Sequence, residues 1–567
     1  MGRDLTSGIE RAYAERLDLF VVALTGRTGS GCTTTASALC REFADLPSSS
    51  TDLTAIEARK QEICANFSQV QWIPFKSISV STVIFGYILT EDPESLDKLF
   101  SSLKIDASKI KEIHDRALSE KGNREFSELI KSKNSFRSKE AWLYYINFLT
   151  AAASEFRLHL GTKYSSLFQT LGDNIRHSGS PTSNNTYPEE LFSLASRVKR
   201  LALSCREYDI HHGIASTRIV IDAVRNPLEL VYLRDQFAAF FAFAITTEES
   251  HRRSRLTEAG MSKREIDALD NREYSKKSLT SYDNFVSQNI EECIQKSDVF
   301  VNNPGPPESI EQNKLILNRQ LIRYISLICR PGLVTPTHDE RCMQLAFAAK
   351  LNSGCISRQV GASISDANSS IKAVGWNDVP KGQVPCLLRD SHRLLRGDDP
   401  LAFSDYEKNN SEIRNQVASS HKNAPMMRIR RGLPCPFCFK DAYNAVTKKP
   451  NQVHTRSLHA EENAFLQLAK HGNSGIAGGN LYTTASPCEL CSKKAFQLGI
   501  QEVIYVDPYP GISLSHVLRS GPEESRPILR LFQGAVGHAY HRIYEPILPI
   551  KDEYSARLSD DPDPTLI

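Results

Sequence analysis

Two short motifs in the last quarter of the chain constrain its fold more than any other feature. The first is His459-Ala460-Glu461, and the second is Pro487-Cys488-Glu489-Leu490-Cys491. One imidazole and two thiolates are ligands that zinc prefers, and a set of three leaves the fourth tetrahedral position open, as in catalytic rather than structural sites. A chain with both motifs is therefore expected to bring two separate segments around one metal ion, with a carboxylate beside it.

The residues around both motifs predict two helix N-termini that point at this metal. The run Glu461–Lys470 has good helix formers and an apolar face, so the first motif should open a helix. Residues 481–484 are typical of a strand, and Pro487 suits the first turn of a following helix that carries both cysteines on one face. The partial positive charge of two helix N-termini favours an anionic hydroxide at the metal.

A carboxylate beside an open zinc position is the arrangement that hydrolytic base deamination requires. Zinc acidifies a water molecule there, and the carboxylate transfers protons while hydroxide attacks an aminated ring carbon. We therefore expect Glu461 to be the catalytic acid–base group, and we expect the zinc ligands to be His459, Cys488 and Cys491. Either motif alone also arises by chance, and a C-x-x-C pair can be redox-active or structural. Their order here, after a strand, favours zinc chemistry.

Length and composition leave room for more than this one site. At 567 residues the chain is long enough for at least two domains, and its hydrophobic content of 40% and charged content of 24% are typical of a soluble globular protein. A net charge of +3 does not indicate nucleic acid or an anionic membrane as partner. No segment has transmembrane length or a signal-peptide core, and the 13 cysteines favour a reducing compartment, so we expect a cytoplasmic protein.

A glycine-rich loop near the N-terminus indicates a phosphate site. The apolar run Leu19–Thr25 precedes the loop Gly26–Thr33, and a helical pattern follows. Backbone N–H groups in such a loop surround a phosphate, and a threonine at its end can bind magnesium. The residues expected to contact the phosphate or its ion are Gly26, Gly29, Ser30, Gly31, Cys32 and Thr33. Because Cys32 stands where the motif has lysine, we expect binding without efficient phosphoryl transfer. A tight turn without a ligand is the alternative.

Further apolar runs predict a parallel sheet behind this loop. Thr217–Asp222 is a buried-type strand that ends in an aspartate, where such folds place a carboxylate near magnesium, and Arg225 follows it. Residues 240–246 and 298–303 are further candidate core strands. Their alternation with helical stretches predicts a parallel sheet with helices on both faces. The arginines within residues 251–255 are either a phosphate clamp or a solvated helix face.

The first part of the chain resembles the P-loop nucleoside-monophosphate kinases, particularly the deoxynucleotide and dephospho-coenzyme A kinase group. The resemblance rests on residues 26–33, 168–176 and 222–229. It implies a kinase-like parallel-sheet domain over residues 1–330, with a helical insertion at about 91–201, that holds a nucleotide and Mg²⁺. Kinase activity is not implied, because the lysine of the loop is missing.

From about Thr335 onward the chain resembles the deoxycytidylate deaminases of the cytidine deaminase superfamily. The resemblance rests on the helical run 339–350, on the hairpin formed by residues 358–364 and 371–380, and on the zinc motifs. It implies a three-layer α/β/α domain over residues 331–545, with an insertion at about 381–450 and a C-terminal tail at 546–567.

The same resemblance indicates two substrate-binding candidates. The asparagine of the G-x-N element holds the sugar in this family, which implies that role for Asn377. The alternative is that Asn377 only caps the turn before Pro380. Tyr509 either covers the base or packs in the core.

A second group of soft ligands in the deaminase-like part suggests a structural zinc. Some deoxycytidylate deaminases carry such an ion, and Cys355 lies where one of its ligands falls. The candidates are Cys355, Cys386, Cys435 and Cys438, with His454 as a substitute. Four such ligands would close a tetrahedral site and fix the insertion. Buried free thiols with a surface histidine are the alternative.

The combined architecture resembles the bacterial antiphage dCTP deaminases. This implies that the substrates are free deoxycytidine nucleotides (dCTP, dCMP or both), that their conversion to deoxyuridine nucleotides depletes the pool a phage needs, and that the N-terminal domain is regulatory. It also implies a homo-oligomer, for example a hexamer, under the control of a nucleotide or RNA. Two alternatives stay open. One is a deaminase acting on DNA or RNA, and the other is a nucleotide-sensing or kinase protein with secondary deaminase activity.

Overall fold

The chain folds into two compact units. A computed structural model describes residues 2–102, 105–106, 108–274, 281–305, 309–423, 426, 430–449, 453–472, 475–507 and 512–558. The first unit comprises Met1–Thr335 and His538–Ile567, and the second unit comprises Pro336–Gly537. Each unit contains a β-sheet with flanking helices, so the protein is of the mixed α/β class that the sequence indicates.

The sheet of the first unit is parallel. Its strands are β1 (Leu19–Thr25), β2 (Lys76–Ser79), β3 (Thr217–Asp222), β4 (Ala239–Thr246) and β5 (Val299–Asn302). They pair in the order β5-β4-β1-β3-β2, and all of these pairings are parallel. Strands β3 and β4 are buried along their whole length, as expected for apolar runs covered on both faces. The strands predicted near residues 19–25, 217–222, 240–246 and 298–303 are therefore present and parallel.

Helices make up most of the rest of the first unit. Their bounds are Gly2–Glu15, Cys32–Leu39, Ala55–Gln71, Val80–Thr90, Pro93–Ser102, Ser108–Ser119, Asn123–Lys131, Lys139–Tyr144, Thr150–Leu160, Lys163–Ser178, Ser193–His211, Pro227–Gln236, Glu249–Glu258, Lys263–Tyr274, Tyr282–Val286, Ile290–Gln295, Ile310–Cys329, Gly537–Tyr544 and Ile550–Leu558. Among the residues described above, no helix combines the length and the apolar character that a membrane span requires.

Part of the predicted C-terminal tail at 546–567 is helical. Residues Ile550–Leu558 form a helix that belongs to the first unit. Its Glu553 is buried, where it accepts a hydrogen bond of 3.0 Å from the hydroxyl of Tyr13 and pairs with Arg330. Because these polar partners come from distant parts of the sequence, local composition did not reveal that the segment is folded.

The sheet of the second unit is mixed. Its strands are β6 (Gly361–Ser365), β7 (Ile371–Trp376), β8 (Asn480–Thr483), β9 (Glu502–Tyr505) and β10 (Ile528–Leu531), in the order β10-β9-β8-β6-β7. Strand β6 is antiparallel to β7 and β8, so the predicted hairpin is present, whereas β8, β9 and β10 are parallel. A short strand, β11 (Gly534–Ala535), lies outside this sheet.

Two glycines show that helices cover both faces of this second sheet. A Cβ atom at Gly361 would lie 1.9 Å from a carbonyl oxygen of the helix His338–Lys350, and one at Gly375 would lie 2.3 Å from a carbonyl oxygen of the helix Ala460–His471. Gly361 is paired with Trp376, the neighbour of Gly375, so the two glycines face opposite sides of the sheet. The unit therefore has the three layers that the sequence predicted.

The region of the expected insertion at 381–450 has a small core of its own. Its helices are Ser391–Arg396, Asp405–Asn409, Ser411–Ser420 and Phe439–Thr447. Leu394, Phe403 and Phe437 pack together there. The Arg389 guanidinium forms a fully buried ion pair with Glu407 and lies over the Phe403 ring at 4.8 Å.

Candidate active site

The two zinc motifs of the second unit lie at the beginnings of two helices. His459 is the N-cap residue of the helix Ala460–His471, and Cys488 is the N-cap residue of the helix Glu489–Gln497, which follows β8. Pro487 was expected in the first turn of the second helix. It lies before the cap instead, because Cys488 still has extended backbone angles (φ −71°, ψ 174°) and the helix begins after it.

The side chains of both motifs converge. The ligand atoms of His459, Cys488 and Cys491 lie within 4.8 Å of one another. The Nδ1 atom of His459 is 3.2 Å from Sγ of Cys488 and 3.6 Å from Sγ of Cys491. This donor set fits zinc, which takes imidazole and thiolate ligands and, with three of them, keeps one position for water. Within the described ranges, it is the only group of three or more His, Cys, Asp or Glu side chains this close together.

Cys488 is the thiol of this set that ionises most readily. A hydrogen bond from Cys491, together with one from His459, lowers the pKa of Cys488 to about 4. The hydrogen bond to Cys488 in turn raises the pKa of His459. Because zinc binds thiolates rather than thiols, an ionised Cys488 prepares the site for a metal cation.

Glu461 completes the site as a buried carboxyl group. Glu461 is only 4% exposed, and this burial raises the pKa of its carboxyl group. The hydroxyl oxygen of Thr483 is 3.2 Å from Oε1 of Glu461 and 2.6 Å from the carbonyl oxygen of Ala485. A hydroxyl has one proton, so Thr483 donates to the nearer Ala485 and can accept the proton of a protonated Glu461. A carboxyl group with a raised pKa is suited to take up and return protons near neutral pH.

Neighbouring charges hold the two helices that carry the ligands. The Glu462 carboxylate accepts a hydrogen bond of 3.4 Å from the His459 backbone N–H and also pairs with Lys494 of the second helix. Asp507 is fully buried and pairs with Arg358 at 2.7 Å, while its carbonyl oxygen accepts a hydrogen bond from the Ser486 N–H. These contacts fix the motif residues relative to each other.

The substrate-binding candidates are placed differently. The Asn377 side chain bonds to the backbone on both sides, with Oδ1 accepting from the Val360 N–H at 2.7 Å and Nδ2 donating to the Arg358 carbonyl at 2.7 Å. It therefore fastens the hairpin, although its amide keeps a second N–H and a second lone pair for other partners. Contact of Asn377 with a sugar stays a prediction. Tyr509 lies outside the described residues.

The five candidates for a second zinc do not form a comparable group. Among the residues that the structure describes, no three of Cys355, Cys386, Cys435, Cys438 and His454 bring their ligand atoms within 4.8 Å of one another. Arg389 lies 4.0 Å from the Cys386 sulfur, Ser357 donates to the Cys438 sulfur at 3.6 Å, and His454 packs on Tyr443. A second zinc held by these residues stays a prediction, and zinc counted by elemental analysis would test it.

The glycine loop of the first unit has the expected strand–loop–helix form. Gly29 (φ 88°) and Gly31 (φ 106°) adopt left-handed backbone angles, and a Cβ at Gly31 would lie 2.2 Å from the Asn303 amide nitrogen. The Thr33 hydroxyl donates to the Asp222 carboxylate at 2.9 Å. Arg225 donates to the Thr28 hydroxyl at 2.8 Å. The structure thus brings the loop, Asp222 and Arg225 together.

Two residues of these sites were missed in the sequence. Thr483, beside Glu461, was recognised only as part of a strand, although a polar residue at the end of a strand that leads to a ligand is a usable signal. Glu273 contacts the glycine loop through Thr28, but it lies in a charged helix without any motif. Sequence patterns contain no signal for such a contact between distant segments.

Residues 336–507 match the family described as "Cytidine and deoxycytidylate deaminase zinc-binding region". The deoxycytidylate deaminase of Enterobacteria phage T4 is 29% identical over 177 residues, which are 30% of this chain and 76% of that protein. The deoxycytidylate deaminase of Schizosaccharomyces pombe is 28% identical over 185 residues, 32% of this chain and 41% of that protein. Residues 336–507 form a deaminase zinc-binding domain.

The similarity to this family and to the two deoxycytidylate deaminases confirms the prediction of a hydrolytic deaminase. The family is described as zinc-binding, which supports zinc as the cofactor. The region of the match contains all three converging ligands and Glu461. A crystal structure of dCMP deaminase from the cyanophage S-TIM5 in apo form is 23% identical and covers 35% of this chain and 100% of that chain. Its TM-score of 0.20 is too low for further comparison.

Proposed function

We propose that the deaminase domain hydrolyses the amino group of deoxycytidine nucleotides, dCTP, dCMP or both, to give deoxyuridine nucleotides and ammonia. The observation that carries this proposal is the convergence of His459, Cys488 and Cys491, in a region that matches the deaminase family. The substrate class is supported by the relatives from phage T4 and S. pombe, both named deoxycytidylate deaminase.

The residues of the site have distinct parts in this reaction. His459, Cys488 and Cys491 would hold zinc, which supplies Lewis-acid activation of a water molecule. Glu461 takes one proton from the attacking water and delivers it to N3 of the cytosine. It then takes the second proton of that water, from the new hydroxyl group on C4, and passes it to the departing amine. Its burial keeps bulk water away from the carboxyl group, and Thr483 orients it. Water adds and ammonia leaves, so atoms and charge balance without a further reactant.

The direct test is the Glu461→Gln variant of the full chain. It should keep its zinc, because the glutamate is not a ligand, and should lose turnover by about 10²–10⁴-fold, the usual contribution of a general acid–base group. Product formation from dCTP, dCMP and single-stranded DNA is followed by mass spectrometry, and zinc by elemental analysis. Cys488→Ala is the contrasting variant, since it should lose zinc as well. Undiminished turnover in Glu461→Gln refutes the mechanism, and deamination of DNA alone refutes the substrate class.

We further propose that the first unit is a kinase-like regulatory domain, which binds a nucleotide with Mg²⁺ at its glycine loop, and that deamination serves antiphage defence. The supporting observations are the loop geometry, the contact between Thr33 and Asp222, and the resemblance to bacterial antiphage dCTP deaminases. Cys32 argues against phosphoryl transfer, because burial raises the pKa of its thiol to about 12 and keeps it uncharged. Thr33→Ala should change the nucleotide dependence of deamination without removing zinc. The same nucleotide dependence of deamination in Thr33→Ala and in the original protein would contradict the regulatory role.

Assembly and control belong to the same proposal. The resemblance favours a homo-oligomer, for example a hexamer, regulated by a nucleotide or an RNA. Light scattering of the purified chain measures its mass in solution. Deamination assayed with and without a nucleotide, and with and without cellular RNA, tests the proposed regulation. A monomer whose activity responds to neither nucleotide nor RNA would refute this part of the proposal.

A further inference from the structure

A cavity of about 700 Å³ adjoins the glycine loop in the first unit. Its volume is in the range of sites for small ligands such as nucleotides. Loop residues, among them Thr28 and Thr33, line one part, and Phe168 and Gln169 line another. Phe168 is stacked on Tyr164 with ring centroids 4.1 Å apart. The cavity therefore offers hydrogen-bond donors for phosphate and aromatic surface for a ring.

Two buried side chains that line this cavity, Gln169 and Asp222, each have one polar atom without a hydrogen bond among the described residues. Gln169 is 5% exposed and Asp222 is 8% exposed. Within the part of the chain that the structure describes, Nε2 of Gln169 and Oδ1 of Asp222 make no hydrogen bond. An unpaired buried polar atom costs about 1–3 kcal/mol, so such atoms usually mark a missing ligand, ion or water. Both atoms point to a ligand that carries polar groups.

The phosphate end of the loop is already in contact with an acidic side chain. Glu273, 1% exposed, accepts a hydrogen bond of 3.1 Å from the Thr28 backbone N–H and another from the Thr28 hydroxyl. Arg225 donates to the same carboxylate at 2.5 Å. A loop amide, a hydroxyl and a guanidinium are the donors that a phosphate group uses. The Glu273 carboxylate thus occupies the place of an anion at the loop.

The helix that carries Glu273, Lys263–Tyr274, is attached to the loop by further charges. Asp270, one turn earlier, pairs with Arg27 at 2.7 Å and with Arg252 at 2.6 Å. Arg252 is 1% exposed in its side chain and donates to the Thr28 carbonyl oxygen at 3.0 Å. A phosphate that enters the loop would compete for Arg27 and Arg225, and so would weaken the attachment of this helix.

We propose that Glu273 is an internal competitor for the phosphate of a nucleotide at the glycine loop, so that nucleotide binding displaces Glu273 and loosens the helix Lys263–Tyr274. The inference rests on the part of the proposed function that assigns phosphate binding to the loop. Two anions cannot share the same donors at hydrogen-bond distance, because their charges repel. Binding therefore requires the state in which Glu273 is displaced, and the apparent Kd is the intrinsic Kd divided by the fraction of that state.

The test compares ATP, inorganic pyrophosphate and adenosine as probes by calorimetric titration of the full chain. Glu273→Gln keeps the shape and a hydrogen-bond acceptor for Thr28 but removes the charge. It should bind ATP and pyrophosphate at least about tenfold more tightly than the original protein. This factor corresponds to an original protein in which Glu273 is displaced in about one tenth of the molecules or fewer. Adenosine, which has no phosphate, should gain nothing. The matched control is Asp267→Asn, which removes one charge from the same helix at a residue paired with Arg253, and it should bind as the original protein does.

A second measurement does not depend on a variant. Saturation of the original protein with ATP should speed amide hydrogen exchange in residues 263–274, because the helix loses its contacts with the loop. Equal ATP affinity in Glu273→Gln and the original protein, or unchanged exchange in this helix, overturns the role of Glu273 alone. Absence of ATP and pyrophosphate binding in all three proteins overturns the phosphate site of the proposed function as well.

Discussion

Gly375 sets the distance between strand β7 and the helix that carries His459 and Glu461. A Cβ added there would lie 2.3 Å from the Ala460 carbonyl oxygen and 2.5 Å from the Ala464 backbone nitrogen. Real Cβ contacts stay above 3.0 Å. In Gly375→Ala the helix Ala460–His471 must therefore move away from β7 by about 0.7 Å, so that the distance from Cβ to the Ala460 carbonyl oxygen rises from 2.3 to 3.0 Å. The clashing atoms belong to the backbone, so no side-chain rotation relieves the overlap.

We expect two consequences of Gly375→Ala. Overpacking of this kind costs about 1–3 kcal/mol of stability. A displacement approaching 1 Å at catalytic groups lowers turnover by roughly 10–100-fold. Deamination of dCMP is measured together with zinc content, because the helix moves His459 along with Glu461. Gly8→Ala, with nothing within 4 Å of the added atom, is the control and should have normal activity. Full turnover and full zinc in Gly375→Ala would show that this contact does not position the site.

Two further substitutions test separate parts of the deaminase unit. Thr483→Val removes the hydroxyl beside Glu461, so we expect about tenfold lower turnover, equal to one hydrogen bond of roughly 1–1.5 kcal/mol, with zinc retained; unchanged turnover would show that Thr483 does not orient the glutamate. Among the described residues, Arg389→Met leaves Glu407 buried with Arg456 as its remaining ionic partner, and loss of one member of a buried pair costs about 3 kcal/mol or more. Amide exchange in residues 391–396 and 411–420 should then be about 100-fold faster, and exchange at the original rate would contradict this estimate.

The sequence predicted those features that depend on neighbouring residues. The strands β1, β3 and β4 are continuous apolar runs, and the zinc motifs occupy helix beginnings that composition indicates. The three side chains that converge, His459, Cys488 and Cys491, were predicted as zinc ligands because their residue types and spacing suit that metal.

Features that depend on distant partners were not predictable. The helix Ile550–Leu558 lies within the predicted tail at 546–567 and was not itself predicted, because the partners of Glu553, Tyr13 and Arg330, are distant in the sequence. The second zinc was predicted from the resemblance to deoxycytidylate deaminases, and the positions of its candidate ligands depend on distant contacts such as that of Arg389 with Cys386. Short-range spacing constrains ligands only when a helix or turn fixes them, as with Cys488 and Cys491.

The presence of Cys32, where the glycine-loop motif has lysine, is consistent with the contact between the Glu273 carboxylate and the loop. With a lysine at position 32, the loop would carry a cation that a phosphate ligand requires for transfer. Cys32 is instead buried, and burial raises the pKa of its thiol to about 12, so it stays neutral. Arg27, within the loop, already pairs with Asp270, and Arg225 already pairs with Glu273. Binding energy of an incoming phosphate is therefore spent on exchanging carboxylates, which moves a helix, rather than on stabilising a transferred phosphoryl group. A loop of this composition is suited to sensing a nucleotide and poorly suited to consuming one.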